Sequence, residues 1–183
     1  MAKAAPKQID HKTRICVLHG PEQMLKRENL SALRTALENE HGEVDTTTYD
    51  GRSCELVDVL DELRSYGLMQ QYKIVVVDEA DTFVTNHRKA LERYAAAPVD
   101  NATLLFRANR WNKGKLDKLI EKHGCLIKCE PLSQPKAAAW LMDQAVKKHH
   151  RKLDRATADL LVRRLGTALG RLDIELDKLA LLV

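Results

Sequence analysis

Lys73-Ile-Val-Val-Val-Asp78-Glu79-Ala80-Asp81 is the stretch on which the fold turns. Its apolar run is β-branched and continuous rather than alternating. That pattern belongs to a strand buried on both faces of a parallel sheet, since a strand with one wet face would alternate. The run delivers acidic residues at its carboxyl end. In nucleotide hydrolases such a strand places one carboxylate on Mg²⁺ and the next against the attacking water, beside a phosphate-cradling loop. In many other parallel strands the same Asp serves turns and caps.

Elements alternate on either side of this strand. Arg14 to Leu18 is a short apolar run closed by Gly20-Pro21. From Met24 to His41, Met24, Leu25, Leu30, Leu33 and Leu37 recur at the spacing of one helical face, and Gly42 ends the helix. Val44 to Tyr49 is Thr-rich and strand-like, and Ser53 is expected to cap a helix carrying Leu56, Val57, Leu60 and Leu63. Downstream come a helix from His87 to Ala97 stopped by Pro98, a strand from Thr103 to Ala108, a short helix from Leu116 to His123, and a strand from Cys125 to Cys129. Five strands separated by helices require crossover connections. The expected fold is therefore α/β, a five-stranded, mainly parallel sheet with helices on both faces.

No strand signal follows Pro131. Ser133 and Pro135 open a helix to about His150, Asp154 caps another to about Leu165, and Leu172, Leu176, Leu179 and Leu182 line a last one. The expected organisation is a flexible polar lead-in over 1–13, an α/β domain over 14–131 and a small three-helix domain over 132–183. The last helix is still apolar and uncapped at Val183, so the chain is expected to be part of a longer protein.

Composition narrows the class. With 183 residues, 44% hydrophobic, 31% charged and a net charge of +4, the chain can bury a real core and is not a disordered polymer. No run approaches the roughly 20 apolar residues of a membrane span. The first residues lack the apolar centre of a secretory signal. In that context Cys16, Cys54, Cys125 and Cys129 point to a reducing cytoplasm rather than to a disulfide framework. Cys125 and Cys129 stand near His123, but no second Cys/His pair has zinc-ribbon spacing, and they read as small buried apolar residues. No metal site is expected.

The hydrolase reading depends on the loop after the first strand. Laid on G-x-x-x-x-G-K-[ST], Gly20 and Lys26 match, but Leu25 replaces the second glycine and Arg27 the magnesium-binding hydroxyl. The Leu25 side chain hinders approach of backbone to phosphate, and Glu22 adds a negative charge to the cradle. Asp78 and Glu79 then stand as the remnant of a nucleotide site whose other half is missing. Ser65, Thr85 and Ser133 have no G-x-S-x-G context, so no nucleophile–base pair is indicated.

Charge is unevenly shared. Glu38 to Glu62 is mostly acidic, whereas Arg107, Arg110, Lys113, Lys115, Lys118 and Lys122 form one basic stretch and Lys147 to Arg155 another. These stretches suit a phosphate backbone or an acidic protein face, or else are ordinary solvated helix surface. Trp111 beside Arg110 is either a base-stacking platform or a lid on the core. Between the Ser53 helix and the central strand, Tyr66, Gly67, Leu68 and Met69 put large apolar side chains into a connection that belongs on the surface. They either enter a partner's pocket, where Met adapts its shape well, or fold back under the sheet.

Several ordered blocks together resemble the delta subunit of the bacterial DNA polymerase III clamp loader: Val75-Val-Val-Asp-Glu-Ala-Asp-Thr-Phe83, Leu91-Glu-Arg-Tyr94, Pro98 to Leu104, Lys115-Leu-Asp-Lys-Leu119 and Leu176-Asp-Lys-Leu-Ala180. The resemblance implies an AAA+ domain without a working phosphate loop, which agrees with the departures between Gly20 and Arg27. It also implies a three-helix lid, and then a helical collar that this chain does not reach. The implied role is to bind and open the ring-shaped sliding clamp without hydrolysing ATP and with no cofactor. The implied subunit is non-catalytic within a nucleotidyltransferase complex, whose other members are the delta prime and tau/gamma subunits. Primer–template DNA is met through that complex, and the isolated fragment is expected to be a monomer. Leu68 and Met69 match the family's pair of large apolar clamp contacts, with Met where an aromatic is often found. The Ser-Arg-Cys tripeptide of the ATP-hydrolysing relatives is absent, since Arg52-Ser53-Cys54 has another order. The alternative reading is a P-loop-like AAA+ ATPase using Lys26, Asp78 and Glu79.

Overall fold

The computed structural model describes residues 9–65 and 72–181. The first unit holds β1 (Ile15–His19), α1 (Gln23–His41) from Leu25 onward, β2 (Val44–Asp50), α2 (Leu56–Arg64), β3 (Tyr72–Asp78), α3 (Asp81–Ala96), β4 (Ala102–Ala108), α4 (Lys115–His123) and β5 (Gly124–Lys128). The five strands pair in the order β2-β3-β4-β1-β5, and every pair is parallel. This is the AAA+-like α/β sheet expected from the sequence.

The period of two along each strand sorts the core into two layers. Ile15, Val17, Val75, Val77, Leu104 and Phe106 point to the face covered by α2, α3 and α4. Cys16, Leu18, Ile74, Val76 and Leu105 point to the other face, where Leu33 and Leu37 of α1 meet them. Ile74 to Val77 are all fully buried, as a central strand covered on both faces requires. In β2, at the sheet's edge, only Val44 is buried.

Two helix starts differ from expectation. α2 begins at Leu56 with Glu55 at its cap, because the Ser53 and Cys54 amides donate to the Asp50 carbonyl and close a turn there instead. α3 begins at Asp81, well before His87. Its first turns carry only Phe83 and Val84 as apolar residues, both buried, so the periodic signal is thin there.

β5 runs close beside β1. A Cβ at Gly124 would overlap the Ile15 carbonyl oxygen, and one at Gly20 would overlap that of Cys129. Gly20 also has φ +127°, a conformation that side chains rarely adopt. Cys16 and Cys125 lie in register, with their sulfurs 3.6 Å apart. That contact, together with burial, pushes the Cys16 thiol well up.

The second unit comprises Pro21–Met24 and the residues from Glu130 onward. Its helices are α5 (Gln134–His149), α6 (Arg155–Leu165) and α7 (Leu169–Leu181), each packed on the other two. Ala137, Ala138, Leu141, Ala158, Val162, Leu169 and Leu172 form its core. Asp154 caps α6 through the Thr157 amide at 3.0 Å. Ser133 stands at the cap of α5 with Pro135 in the first turn, but makes no side-chain capping bond. Among the described residues no helix is long and apolar enough to cross a membrane.

Gly124→Ala is expected to cost about 2–3 kcal/mol by forcing β5 away from β1, lowering Tm by about 5 °C or more. An unchanged melting curve would contradict this close approach.

Candidate functional site at the carboxyl end of the sheet

β1 and β4 are neighbours, yet the chain leaves them towards opposite edges of the sheet, to β2 and β5 respectively. The crevice above such a pair is where open α/β sheets take their ligands. Gly20 and Lys26 arrive there from the β1 side, Asn109 from the end of β4, and Asp78 and Glu79 from the end of β3. The structure thus places these residues at the same end of the sheet.

Around this crevice the chain's own polar side chains bond to one another. Lys26, only 3% exposed, donates its Nζ to Asn109 Oδ1 at 3.3 Å. Asn109 Nδ2 in turn lies 3.4 Å from Glu79 Oε2. Arg107 donates to Asp78 Oδ2 at 2.6 Å, while its buried Nε has no partner among the described residues. Both oxygens of Asp81 accept backbone amides, from Asn109 at 3.0 Å and Arg110 at 2.7 Å. Burial pushes the Lys26 ammonium below the usual lysine range, opposed by the charges of Cys129, Glu79, Asp78 and Asp81. Glu79 sits at φ +46°, an unusual backbone for a residue other than glycine.

A nucleotide would need Lys26 on its phosphates and Asp78 on its magnesium. Here the ammonium faces an amide and the carboxylate holds a guanidinium. Arg107 was legible only as one member of a basic stretch, and nothing in its local sequence pointed to Asp78. The pairing needs the β3–β4 register, which sets Val77 beside Phe106 and so brings the ends of the two strands together.

The other residues singled out from the sequence separate into groups. Tyr66, Gly67, Leu68 and Met69 lie outside the described residues. Their two flanks are described. Lys73 Nζ at the start of β3 donates to Ser65 Oγ at 2.7 Å and to Glu62 Oε1 at 3.0 Å, tying β3 to the end of α2. Trp111 is a lid on the core. Its ring stands 6.2 Å from that of Phe106, and its Nε1 donates to Asp117 at 2.7 Å.

Arg110, Lys113, Lys115 and Lys118 are exposed and have no ion-pair partner among the described residues. Arg110 lines a cleft of about 340 Å³ with Thr82, Thr85 and Arg88. The second basic group is matched by acids of its own unit. Lys147 pairs with Asp143 at 2.7 Å, and Lys148 bridges Asp173 at 3.0 Å and Asp177 at 2.7 Å. His149 Nε2 is 2.9 Å from Asp177 Oδ1. The Lys148 bond, helped by His149, holds the Asp177 carboxyl below the usual aspartate range. Among the described residues no three His, Cys, Asp or Glu side chains are grouped to hold a metal ion.

Strand order and parallel pairing define the class: an AAA+-like α/β domain built on a five-stranded parallel sheet with flanking helices. The family model for the delta subunit of DNA polymerase III matches residues 17–130, and the chain belongs to that family. The fold is similar to that of the DNA clamp loader delta protein of Bacillus subtilis. The TM-score is 0.71 at 20% identity, over 92% of this chain and 53% of that one. The chain therefore spans about half the length of that relative. No curated protein matches it.

Lys26→Met and Arg107→Ala are expected to act in opposite directions. The lowered Lys26 value means that the unfolded chain holds this proton more tightly. The ammonium therefore costs stability at neutral pH, and the cost fades as pH rises towards the ordinary lysine value. Lys26→Met should leave stability unchanged or raise it by up to about 1 kcal/mol, whereas Arg107→Ala should lose about 1–2 kcal/mol. Denaturant melts check both, and a large loss in Lys26→Met would contradict the assignment. Lys148→Ala is expected to lower Tm by about 1–3 °C at neutral pH. Asp177 is depressed, so its contribution is present above the ordinary aspartate value and lost as pH falls through the lowered one. The difference from wild type should shrink in acid.

Proposed function

We propose that this chain is the ring-binding part of a clamp-loader delta subunit. It binds the sliding clamp (the beta subunit) during DNA replication and opens one of its interfaces, with no ATP hydrolysis of its own. The family match over 17–130 carries this reading. The contacts of Lys26 and Asp78 support it, because a subunit that binds no nucleotide can leave Lys26 on Asn109 and Asp78 on Arg107. The proposed partners beyond the clamp are the delta prime and tau/gamma subunits, with primer–template DNA met through the assembled loader in the cytoplasm.

The clamp contact is assigned to Leu68 and Met69, flanked by Tyr66 and Gly67. The anchorage of their flanks supports this. Lys73 clamps the end of α2 to the start of β3, so the connection springs from a rigid base. A base of this kind lowers the ordering cost when apolar side chains enter a partner's pocket. Ring opening draws its energy from binding one clamp conformation better than the closed ring. The alternative P-loop-type ATPase needs Lys26 and Asp78 available to phosphate and magnesium, and both are engaged.

Surface plasmon resonance over immobilised sliding clamp is expected to give saturable binding by wild type and a loss of at least about tenfold in Leu68→Ala/Met69→Ala at unchanged Tm, as for paired hot-spot residues. Undiminished binding by the double variant would overturn the contact.

A further inference from the structure

We propose that the furrow between α3 and α4 seats a nucleic-acid backbone, with Lys89, Arg93 and Lys115 as its phosphate contacts. This rests on the replication reading and gives it a place on the surface. The furrow, of about 620 Å³, has Ala96 and Leu119 in its lining. Lys89 and Arg93 stand one turn apart on α3, and Lys115 opens α4 on the other bank.

The cations on the two banks are uncompensated and face one furrow. Some exposed helix cations of this molecule are matched one turn away, as in Arg34–Glu38 on α1, Lys147–Asp143 on α5 and Arg155–Asp159 on α6. Lys89, Arg93 and Lys115 are exposed and have no such partner among the described residues. Glu92, the acid in the lining, is 3.9 Å from Arg88. Asp117, the acid between Lys115 and Lys118, has its oxygens taken by Trp111 Nε1 at 2.7 Å and the Gly114 amide at 2.8 Å. Like charges held together on both banks of a groove repel one another, and a linear polyanion lying between them relieves that repulsion. Sugar faces and the lysine and arginine stems can pack on the apolar floor. The basic stretch read from sequence contained Lys115 alone of the three. The α3 bank becomes visible only when the two helices lie side by side.

The test uses the full chain and a fluorescein-labelled primer–template duplex, followed by fluorescence anisotropy between about 50 and 200 mM salt. Lys89→Glu/Arg93→Glu/Lys115→Glu is expected to weaken binding at least tenfold at about 100 mM salt and to reduce the salt slope by about 2–3. The charge-matched Lys152→Glu/Arg163→Glu/Arg164→Glu should stay within about twofold of wild type, with Tm held in both. Equal losses in the two variants, absence of duplex binding by wild type, or poly-glutamate bound as tightly as the duplex would each overturn the furrow as a nucleic-acid site. Clamp binding, measured on the same variants, separates the two readings. Duplex bound through the furrow without clamp binding sinks only the clamp reading. Clamp binding with an unaffected duplex sinks only the furrow.

Discussion

The Lys26–Asn109 hydrogen bond joins the β1 side of the sheet's carboxyl end to β4, the Arg107–Asp78 ion pair joins β4 to β3, and the proposal that this chain works without nucleotide leans on both. An open α/β sheet is vulnerable at this point, because strands ending side by side with departing helices leave polar ends without partners. Relatives of this architecture that bind nucleotide fill the gap with phosphate and magnesium. This chain fills it with its own charges. The arrangement gives these polar ends partners without a ligand.

Several residues that look like a damaged nucleotide site have structural tasks of their own. Gly20 has a steric reason, since the Cys129 carbonyl leaves no room for a side chain. Asp78 balances Arg107. Asp81 holds the chain as it leaves β4 through two amides, a task that requires an acid at the start of α3 whether or not ATP is present. Gly51 approaches the backbone of the same β3–α3 turn and donates its amide to the Asp78 carbonyl at 2.7 Å. Lys73 does comparable work at the opposite end of β3, where its bonds to Glu62 and Ser65 anchor the flanks of the apolar connection.

Much of this was legible in the sequence for a simple physical reason. A strand buried on both faces must be apolar throughout, so Ile74 to Val77 announces a central parallel strand, and the alternating helices leave few topologies. The loop's departures at Leu25 and Arg27 carry from sequence the expectation of a lost phosphate cradle. What stayed hidden depends on strand order. Arg107 reaches Asp78 only because β4 lies beside β3, and Lys26 reaches Asn109 only because β1 lies on the far side of β4. Local patterns were also misleading where a turn competed with a cap, as at Ser53, whose amide closes the turn after β2. In the helical unit the basic run around Lys148 carries no local sign that Asp173 and Asp177 of α7 meet it.

Isothermal titration of Mg²⁺-ATP into the chain at neutral pH tests most directly the proposal that this chain works without nucleotide. A flat titration is predicted, because binding would have to break the Lys26–Asn109 and Arg107–Asp78 contacts without a phosphate loop to replace them. Saturable heat that disappears in Lys26→Ala would contradict it and return Lys26, Asp78 and Glu79 to service as a nucleotide site.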